Sequence, residues 1–322
     1  MKKVLIATAK DEGHNILEWV AHHRMAGFTD FILFQNDSTD GTDETLKCLA
    51  DLGIVEYYDN PAAQGRHQMK AYKRAARMDT FQDADVAMVL DLDEFLNIRA
   101  GNGTLDHLFA TLPAFDHLIL NWRLFGSGQI PVMTNDLVTA RFTDTTAPER
   151  YLTHFTGYKS LFRPSVFAVP GIHQPRNPQK PEDEIIRVNG SGLTAPEFAL
   201  RNWRSKDPLM TRYACVHHYA VKDIETFLLK SVRGSAHQTH RSLREKYWWK
   251  RNFGGTQEFG LVKRAPRLWA EMLTLDHLSG GKLMKLRQAA FNHHRAKLEE
   301  LRSAPDYAAL REHCLAHPPR PE

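Results

Sequence analysis

Four short apolar runs, separated by segments with helical spacing, dominate the first hundred residues. The runs cover 4–9, 31–34, 54–58 and 86–90, and each is apolar almost throughout, as expected of strands buried on both faces of a sheet. The intervening segments 12–25, 42–52 and 68–78 have helical character. Strand–helix alternation of this kind predicts an α/β fold with a mostly parallel central sheet and helices on both of its faces.

Polar residues follow all four predicted strands. Ligands of parallel α/β sheets bind beyond the carboxyl ends of the strands, where the ends of neighbouring strands lie side by side. We therefore expect these side chains to gather at one edge of the sheet and to form a binding site there. The residues are Asp11 and Glu12, Asn36 and Asp37, Asp59 and Asn60, and Asp91 with Asp93.

Asp91 and Asp93 are two carboxylates that come directly after a buried strand. Side chains at positions i and i+2 of an extended chain point the same way, so we expect the two acids to lie together. Two neighbouring anions repel each other unless a cation lies between them. Hard oxygen ligands suit Mg²⁺ or Mn²⁺, which also bind phosphate oxygens. The segment therefore predicts a divalent-metal site, and the alternative is an acidic pair that only caps a turn.

After the first hundred residues, the predicted secondary structure changes twice along the chain. Its 322 residues, 42% of them apolar and 25% charged, have ordinary globular composition. Residues 104–220 are rich in Gly and Pro, and the segment 174–208 predicts a long loop. From residue 223 the pattern is mainly helical, most clearly over 282–302. We predict a catalytic and binding domain at 1–220 and a helical, basic region at 221–322 that completes the site.

Charge is spread unevenly along the chain. Residues 201–322 contain 23 Lys and Arg against 12 Asp and Glu, which leaves 19 against 26 in the first 200 of the totals 42 and 38. A basic C-terminal region indicates a solvated helical surface, or contact with an anionic lipid, a nucleic acid or a diphosphate. Because no nucleic-acid-binding module is recognisable, we expect no nucleic-acid partner.

Cysteine usage and the absence of long apolar windows bear on location. The three cysteines show no CxxC spacing, and no stretch approaches the length of a membrane span. These features predict a cytoplasmic protein in a reducing compartment, and peripheral contact with the inner face of a membrane stays open.

Several short motifs occur together along the chain. They are Lys-Asp-Glu at 10–12, Asn-Asp-Ser-Thr-Asp-Gly-Thr at 36–42 and Asp-Leu-Asp-Glu-Phe at 91–95, with further motifs at 125–128, 159–164 and 218–234. Together they resemble the family 2-like glycosyltransferases, in a subgroup that overlaps the family 92-like transferases. The resemblance implies a GT-A fold, which is Rossmann-like. It also implies Mn²⁺ or Mg²⁺ and transfer, with inversion, of a sugar from a nucleotide-diphosphate donor, often UDP-linked. The acceptor hydroxyl could belong to a glycan, a lipid-linked sugar or a protein.

The resemblance also assigns roles to individual residues. Those near the nucleotide would be Thr8, Asp11, Glu12, Asp37, Arg66, Gln68 and Asp91. The metal would be held by Asp91, Asp93 and His218, since His217 and His218 point to opposite faces of a strand and only one can reach it. A basic set that could clamp the leaving diphosphate consists of Lys222, Lys230 and Arg233. The candidates for the general base are Glu258 and Asp183.

Two departures from the family pattern keep alternatives open. Asp11 stands where the family usually has Asn, so the identity of the nucleotide is open, and no clear counterpart of the family's catalytic acid pair is present. A non-catalytic sugar- or nucleotide-binding relative therefore remains an alternative. A sugar nucleotidyltransferase is another, although it should carry a Gly-rich basic loop after its first strand. The donor sugar, the acceptor and the oligomeric state are not determined by the sequence.

Overall fold

A mixed sheet runs through the centre of the protein in the computed structural model, which describes residues 1–61, 67–233 and 245–321. The strands are β1 (Lys3–Ala9), β2 (Asp30–Gln35), β3 (Glu56–Asp59), β4 (Val86–Val89), β5 (Glu94–Ile98), β6 (His117–Leu124), β7 (Asp144–Thr145), β8 (Thr156–Phe162), β9 (Phe167–Val169), β10 (Arg176–Pro178), β11 (Arg187–Asn189), β12 (Ala199–Arg201), β13 (Arg204–Lys206), β14 (Ala214–His218) and β15 (Thr256–Gln257).

Helices flank the sheet and form most of the C-terminal region. They are α1 (Ile16–Met25), α2 (Thr42–Asp51), α3 (His67–Ala75), α4 (Asp79–Gln82), α5 (Leu105–Thr111), α6 (Val138–Arg141), α7 (Arg150–Thr153), α8 (Ile224–Arg233), α9 (Glu245–Arg251), α10 (Ala265–Leu278), α11 (Lys282–Leu301) and α12 (Pro305–Ala316). Short 3₁₀ turns cover Glu182–Glu184 and Val262–Arg264.

The order of the strands confirms the predicted α/β class. β3, β2, β1 and β4 lie side by side and are parallel, so their carboxyl ends meet at one edge. Beyond β4 comes β8, which is antiparallel to both β4 and the next strand, β6; β14 then pairs with β6 in parallel, and β5 pairs with β14 in antiparallel fashion. A parallel N-terminal half, an extended second half and flanking helices are consistent with a GT-A-like fold.

Both faces of the sheet are covered by apolar packing. On one face, α1 and α2 pack on the sheet, α10 packs on α1 and α11 packs on α2. Buried Trp19, Phe31, Met272 and Leu283 belong to one cluster on this face. On the other face, α3 and α4 cover the sheet through residues such as Tyr72 and Phe81. Because apolar burial stabilises by about 25 cal/mol per Å², a core shared by α1 and α10 ties the C-terminal helices firmly to the sheet.

The C-terminal region is helical, as predicted, and has a small core of its own. Phe227 and Leu228 of α8, Trp248 of α9, Leu298 of α11 and Cys314 of α12 pack together. None of the helices among the described residues has the length and apolar character needed to cross a membrane.

Two expected elements differ in the structure. The helix predicted from residue 12 begins at Ile16, because residues 12–15 form a turn in which the backbone N–H of Gly13 donates to the Asp40 carboxylate. The prediction of one long loop over 174–208 is wrong, because part of it forms short strands. This segment contains β10 to β13, of which β11 pairs with β6 and β13 with β8. Strands of three residues are too short to leave a periodic pattern in a sequence rich in Pro.

Gly126 lies where two parts of the chain touch, and its replacement tests that contact. A Cβ at this position would lie 1.9 Å from the Phe253 carbonyl oxygen. We expect Gly126→Ala to lower the free energy of unfolding by roughly 3 kcal/mol, since overpacking against backbone cannot be relieved by a rotamer change. Urea unfolding followed by circular dichroism measures this difference.

The matched control is Gly53→Ala. Nothing lies within 4 Å of a Cβ at Gly53, and only its left-handed backbone (φ +68°) opposes a side chain. This control should cost about 1 kcal/mol. Equal losses in the two variants would contradict the proposed close contact at Gly126.

Candidate active site

Two turns at the carboxyl ends of β1 and β2 are fastened to each other. Asp11 and Asp37 have left-handed backbones, with φ of 49° and 48°. The N–H of Asp11 donates to Ser38 Oγ at 3.1 Å, and the N–H of Thr39 donates to the Asp11 carboxylate at 2.8 Å. These hydrogen bonds between the two turns hold the polar strand ends at fixed positions along the sheet edge.

The segment that joins β4 to β5 forms a tight turn. The N–H of Glu94 donates to the Asp91 carbonyl at 3.0 Å, and the N–H of Asp91 donates to the Glu94 carboxylate at 2.8 Å. From α1, the indole N–H of Trp19 contacts the carbonyl oxygens of Asp91 (3.1 Å) and Glu94 (3.0 Å). The expectation of an extended Asp-x-Asp segment is therefore wrong, because the chain turns within it.

The side chains of Asp91 and Glu94 share a contact with a buried lysine. Lys159, in the middle of β8, is completely buried, and its Nζ lies 3.0 Å from a carboxylate oxygen of each residue. Burial disfavours the charged ammonium, but the two acids raise the pKa of Lys159 above its usual value. Gln68 also donates to Asp91 at 2.9 Å. Both carboxylate oxygens of Asp91 thus have a protein partner, although its side chain is 30% exposed.

Burial dominates at Glu94, whose carboxyl group is fully inaccessible. This burial raises the pKa of Glu94 to about 8, although the charge of Lys159 opposes the rise. At neutral pH the side chain is therefore mostly protonated, and Lys159 and Asp91 form the principal ion pair of this turn.

Asp93 faces a different cation. Although burial acts in the opposite direction, Lys230, His218 and Lys222 lower the pKa of Asp93 below its usual range, so it stays ionised. Lys230 Nζ contacts its carboxylate at 2.8 Å, and His218 Nε2 lies 3.7 Å away. Burial lowers the pKa of His218 to about 3, against the attraction of Asp93. The imidazole is therefore neutral and able to act as a ligand.

A cavity of about 570 Å³ opens in front of Asp93 at this edge of the sheet. Its wall combines the turns after β1 and β2, the segment after β14, and helices α8 and α11. Its charged lining residues are the acids Asp11, Glu12, Asp37, Asp93 and Glu300 and the bases Lys10, Lys222, Lys230 and Lys297. Because the charges of the lining nearly cancel, the cavity suits an anionic ligand that enters together with a cation.

At the cavity wall, α11 meets the N-terminal turns through two histidines. His294 Nε2 lies 3.1 Å from an Asp40 carboxylate oxygen, and the His14 and His294 rings are 4.8 Å apart in an edge-on arrangement. Burial lowers the pKa of His14 well below its usual value, with a further contribution from His294. All three residues are buried.

These three residues also form a candidate metal group. Each offers one ligand atom, and the three atoms lie within 4.8 Å of one another. Within residues 1–61, 67–233 and 245–321, no other set of three His, Cys, Asp or Glu side chains meets this spacing, and the predicted metal ligands Asp91, Asp93 and His218 do not.

The family of the chain follows from comparison with known proteins. Residues 7–190, more than half of the chain, match the model of glycosyltransferase family 92. The chain belongs to glycosyltransferase family 92. It is thus a glycosyltransferase, and the predicted resemblance to the family 92-like transferases is confirmed. The match gives no specific support to the resemblance to family 2. No curated protein matches the sequence.

Several solved structures are distantly similar to the chain. TarS from S. aureus (residues 1–349, solved with UDP-GlcNAc) is 14% identical, with a TM-score of 0.35 over 97% of this chain and 78% of that one. A putative glucose-1-phosphate thymidylyltransferase from Bacillus anthracis is 12% identical, with a TM-score of 0.31 over 52% and 72%. HddC from Yersinia pseudotuberculosis is 9% identical, with a TM-score of 0.32 over 59% and 90%.

The structure of this family 92 member brings six of the predicted site residues together in one cavity. Those that line the cavity are Asp11, Glu12, Asp37, Asp93, Lys222 and Lys230. Thr8, Gln68, Asp91 and His218 are not among its lining residues, although Gln68 contacts Asp91 and His218 adjoins Asp93. Arg66 and the side chain of Arg233 lie outside the described residues.

The two candidates for the general base lie elsewhere. Glu258 is bound by Arg123 and lies 3.6 Å from Arg99, and its other oxygen accepts the Gly260 N–H. Asp183 is on an exposed 3₁₀ turn. Neither lines the cavity.

Lys159, His14 and His294 received no role from the sequence. Lys159 could have been found, because a lysine within an otherwise uncharged strand must be paired if the strand is buried. The contact of His294 with Asp40 spans more than 250 residues, and no local pattern signals it.

The raised pKa of Glu94 predicts a pH-dependent stability. Between the usual pKa of 4.5 and about 8, the folded protein holds a proton that the unfolded chain has lost, so stability falls as pH rises through this window. In Glu94→Gln this loss should disappear. We expect the free energy of unfolding to decline between pH 5 and 8 by roughly 3 kcal/mol less in the variant.

Urea unfolding at several pH values measures both slopes. Glu182→Gln, on the exposed 3₁₀ turn, is the control and should keep the wild-type slope. Parallel pH profiles for Glu94→Gln and the wild type would show that the Glu94 pKa is not raised.

Proposed function

We propose that this glycosyltransferase moves a sugar from a nucleotide-diphosphate donor, UDP-linked, to an acceptor hydroxyl, with a divalent cation and with inversion at the anomeric carbon. The observation that carries this proposal is the ionised Asp93 beside Lys230 in a cavity at the carboxyl edge of the sheet. Ligands bind at this edge in open α/β sheets. The inverting outcome has its support in the motif resemblance alone.

Charge balance favours a cation that enters with the donor. The cavity lining holds five carboxylates and four lysines, so an added diphosphate would leave a clear excess of negative charge. A divalent ion removes most of this excess and lowers the cost of placing phosphate oxygens near Asp93. Lysines alone would have to give up their present carboxylate partners to do the same.

The donor atoms around Asp93 fit Mn²⁺ or Mg²⁺. Asp93 offers an ionised carboxylate and His218 a neutral imidazole, a mixed oxygen and nitrogen set that suits Mn²⁺ in particular. Asp91, the third proposed ligand, is now paired with Lys159. We propose that Asp93 is the primary ligand, with His218 and Asp91 beside it. When bound, the cation neutralises the leaving diphosphate.

Lys222 and Lys230 are the proposed clamp on the diphosphate. Lys230 contacts Asp93, and Lys222 lies 3.8 Å from Glu12, so both ammonium groups are held at the cavity surface. Fixed cations aimed at a developing negative charge stabilise the transition state more than the ground state. Arg233, at the end of α8, is proposed as a third member of this clamp from the motif resemblance.

The nucleoside end of the donor is proposed to contact the turns after β1 and β2. Asp11, Glu12 and Asp37 offer carboxylates at this end of the cavity, while Thr8, Arg66 and Gln68 are the proposed outer contacts. The division into a catalytic part at 1–220 and a completing part at 221–322 is supported by α8 and α11, which supply part of the wall. Since Glu258 and Asp183 lie outside the lining, neither is proposed as the base.

Replacement of Asp93 tests the metal-dependent part of this proposal. In the wild type, we expect Mn²⁺ to tighten UDP binding at least tenfold, about 1.4 kcal/mol. In Asp93→Asn this gain should be lost, because the neutral amide is a poor ligand for a hard cation. Isothermal titration calorimetry with and without Mn²⁺ measures both constants.

Asp183→Asn is the control, since it removes the same charge from an exposed site outside the cavity. Equal UDP affinity with and without Mn²⁺ in the wild type would reject the metal at Asp93. A gain that survives in Asp93→Asn and vanishes in His294→Gln would move it to His14, Asp40 and His294.

A panel of UDP-, GDP- and TDP-sugars tests the reaction class. We expect slow Mn²⁺-dependent hydrolysis of one of these donors to nucleoside diphosphate and free sugar. Proton NMR should show the released sugar first as the anomer inverted from the donor. Formation of a nucleoside triphosphate from donor and pyrophosphate would instead indicate a nucleotidyltransferase, and tight donor binding without turnover would indicate a non-catalytic relative.

A further inference from the structure

A second cavity, of about 640 Å³, lies beside the β12–β13 hairpin and α7. Its lining residues are Arg150, Thr153, His154, Phe155, Arg201, Asn202, Trp203, Arg204 and Lys206. Four of these nine are Arg or Lys and none is Asp or Glu. We call this cavity the basic groove. A groove lined with cations and without acids favours a ligand with negative charge.

Three cations of the basic groove are not neutralised by their surroundings. Arg201, Arg204 and Lys206 form no ion pair with a carboxylate of the described residues, in contrast to Lys159 or Lys230 in the first cavity. Arg204 lies over the Trp203 ring at 4.6 Å, and Lys206 over the Phe155 ring at 5.0 Å. Aromatic rings therefore hold these two side chains in place and leave their N–H groups to bind an anion.

The hairpin that carries these cations is fixed to the sheet. Arg204 and Ser205 of β13 pair with β8. The Ser205 hydroxyl donates to the side-chain oxygen of Asn121 at 2.9 Å, and the Asn121 amide donates back to the Ser205 carbonyl at 3.2 Å. In the tight turn, the Tyr158 hydroxyl donates to the Asn202 carbonyl at 3.1 Å. The groove is thus a preformed surface with cations at fixed positions.

A layer of aromatic side chains connects the basic groove with the candidate active site. The Trp203 and Trp122 ring centroids are 6.0 Å apart, Trp122 and His218 are 4.6 Å apart, and His218 lies 3.7 Å from Asp93. Gly157 makes room for both indoles, because a Cβ there would lie 2.4 Å from Trp122 and 3.0 Å from Trp203. Trp122 and His218 are buried, so this aromatic layer lies between the groove and Asp93 and joins the two sites through packed side chains.

We propose that the basic groove binds the acceptor, and that the acceptor is a glycan with negative charges, carried by carboxylate or phosphate groups. This inference rests on the proposed function, since it assigns the second substrate of the same reaction. Arg201 and Arg204 bind the anionic groups, because a guanidinium matches a carboxylate or phosphate with two parallel hydrogen bonds. The charges hold the acceptor chain at the groove, next to the site proposed for the donor.

A nucleic acid would use the same cations in a different way. Strand binding needs open aromatic faces on which successive bases stack. Trp203 already carries the stacked His173 ring at 4.8 Å and the Arg204 guanidinium. The groove thus offers charge recognition without a free stacking platform, which favours an anionic glycan.

The test uses Arg201→Gln/Arg204→Gln and three probes of comparable length: oligogalacturonate, a phosphodiester-linked oligosaccharide and neutral galacto-oligosaccharide. We expect at least one anionic probe to bind the wild type, with an affinity that falls as salt rises, and the neutral probe to bind at least tenfold more weakly. The double variant should lose at least tenfold in affinity for that anionic probe. The two anionic probes distinguish carboxylate from phosphate recognition.

Arg267→Gln/Arg311→Gln removes two exposed arginines of α10 and α12 and is the control for net charge. It should leave binding of the anionic probe within twofold of wild type. UDP binding with Mn²⁺ is measured in all variants, so that loss at the basic groove is separated from failure at the first cavity. Both double variants should retain it, which also shows that they fold.

Three results would overturn the inference. They are absence of binding by both anionic glycans, equal binding in Arg201→Gln/Arg204→Gln and the wild type, and tighter binding of a single-stranded oligonucleotide of equal charge. The last result would assign the groove to nucleic acid. Each of them leaves the Mn²⁺-dependent UDP measurement as an independent test of the first cavity.

Discussion

Lys159 neutralises an acidic turn from inside the protein, and the geometry of the candidate site depends on this contact. Its ammonium group is buried in β8 and lies 3.0 Å from both Asp91 and Glu94. A lone buried charge would cost several kcal/mol, so the turn and the strand must stay together once the chain has folded. With Trp19 bound to the backbone of the same turn, the direction of Asp93 into the cavity is fixed.

The two acids of the Asp-x-Asp segment consequently have different tasks. Asp91 connects the turn to β8 and α3 through Lys159 and Gln68, while Asp93 meets the cavity and Lys230. This division explains why the predicted geometry of the segment, an extended chain with both acids on one side, is wrong. Spacing indicates the face of a side chain only where the backbone is extended, and here the backbone turns.

The N-terminal half could be predicted well, since its strands and helices have strong local patterns and its parallel order follows from their alternation. Asp11, Glu12, Asp37 and Asp93 follow from the same reasoning, because strand ends of a parallel sheet meet at one edge. Lys222 and Lys230 came instead from the motif resemblance. The small strands β11 to β13, Lys159 and the His294 contact could not be placed. They depend on pairing between distant segments, and a single sequence carries no local signal for such pairing.

The placement of α11 has a consequence for when the site comes into existence during synthesis. His294 and Lys297 form part of the wall opposite residues 10–15, and α11 packs on α2 at the other end of the sequence. A nascent chain that ends before residue 282 contains all the strands of the sheet and the acidic turn but lacks this wall. The wall of the site is therefore complete only once about 300 residues have been synthesised.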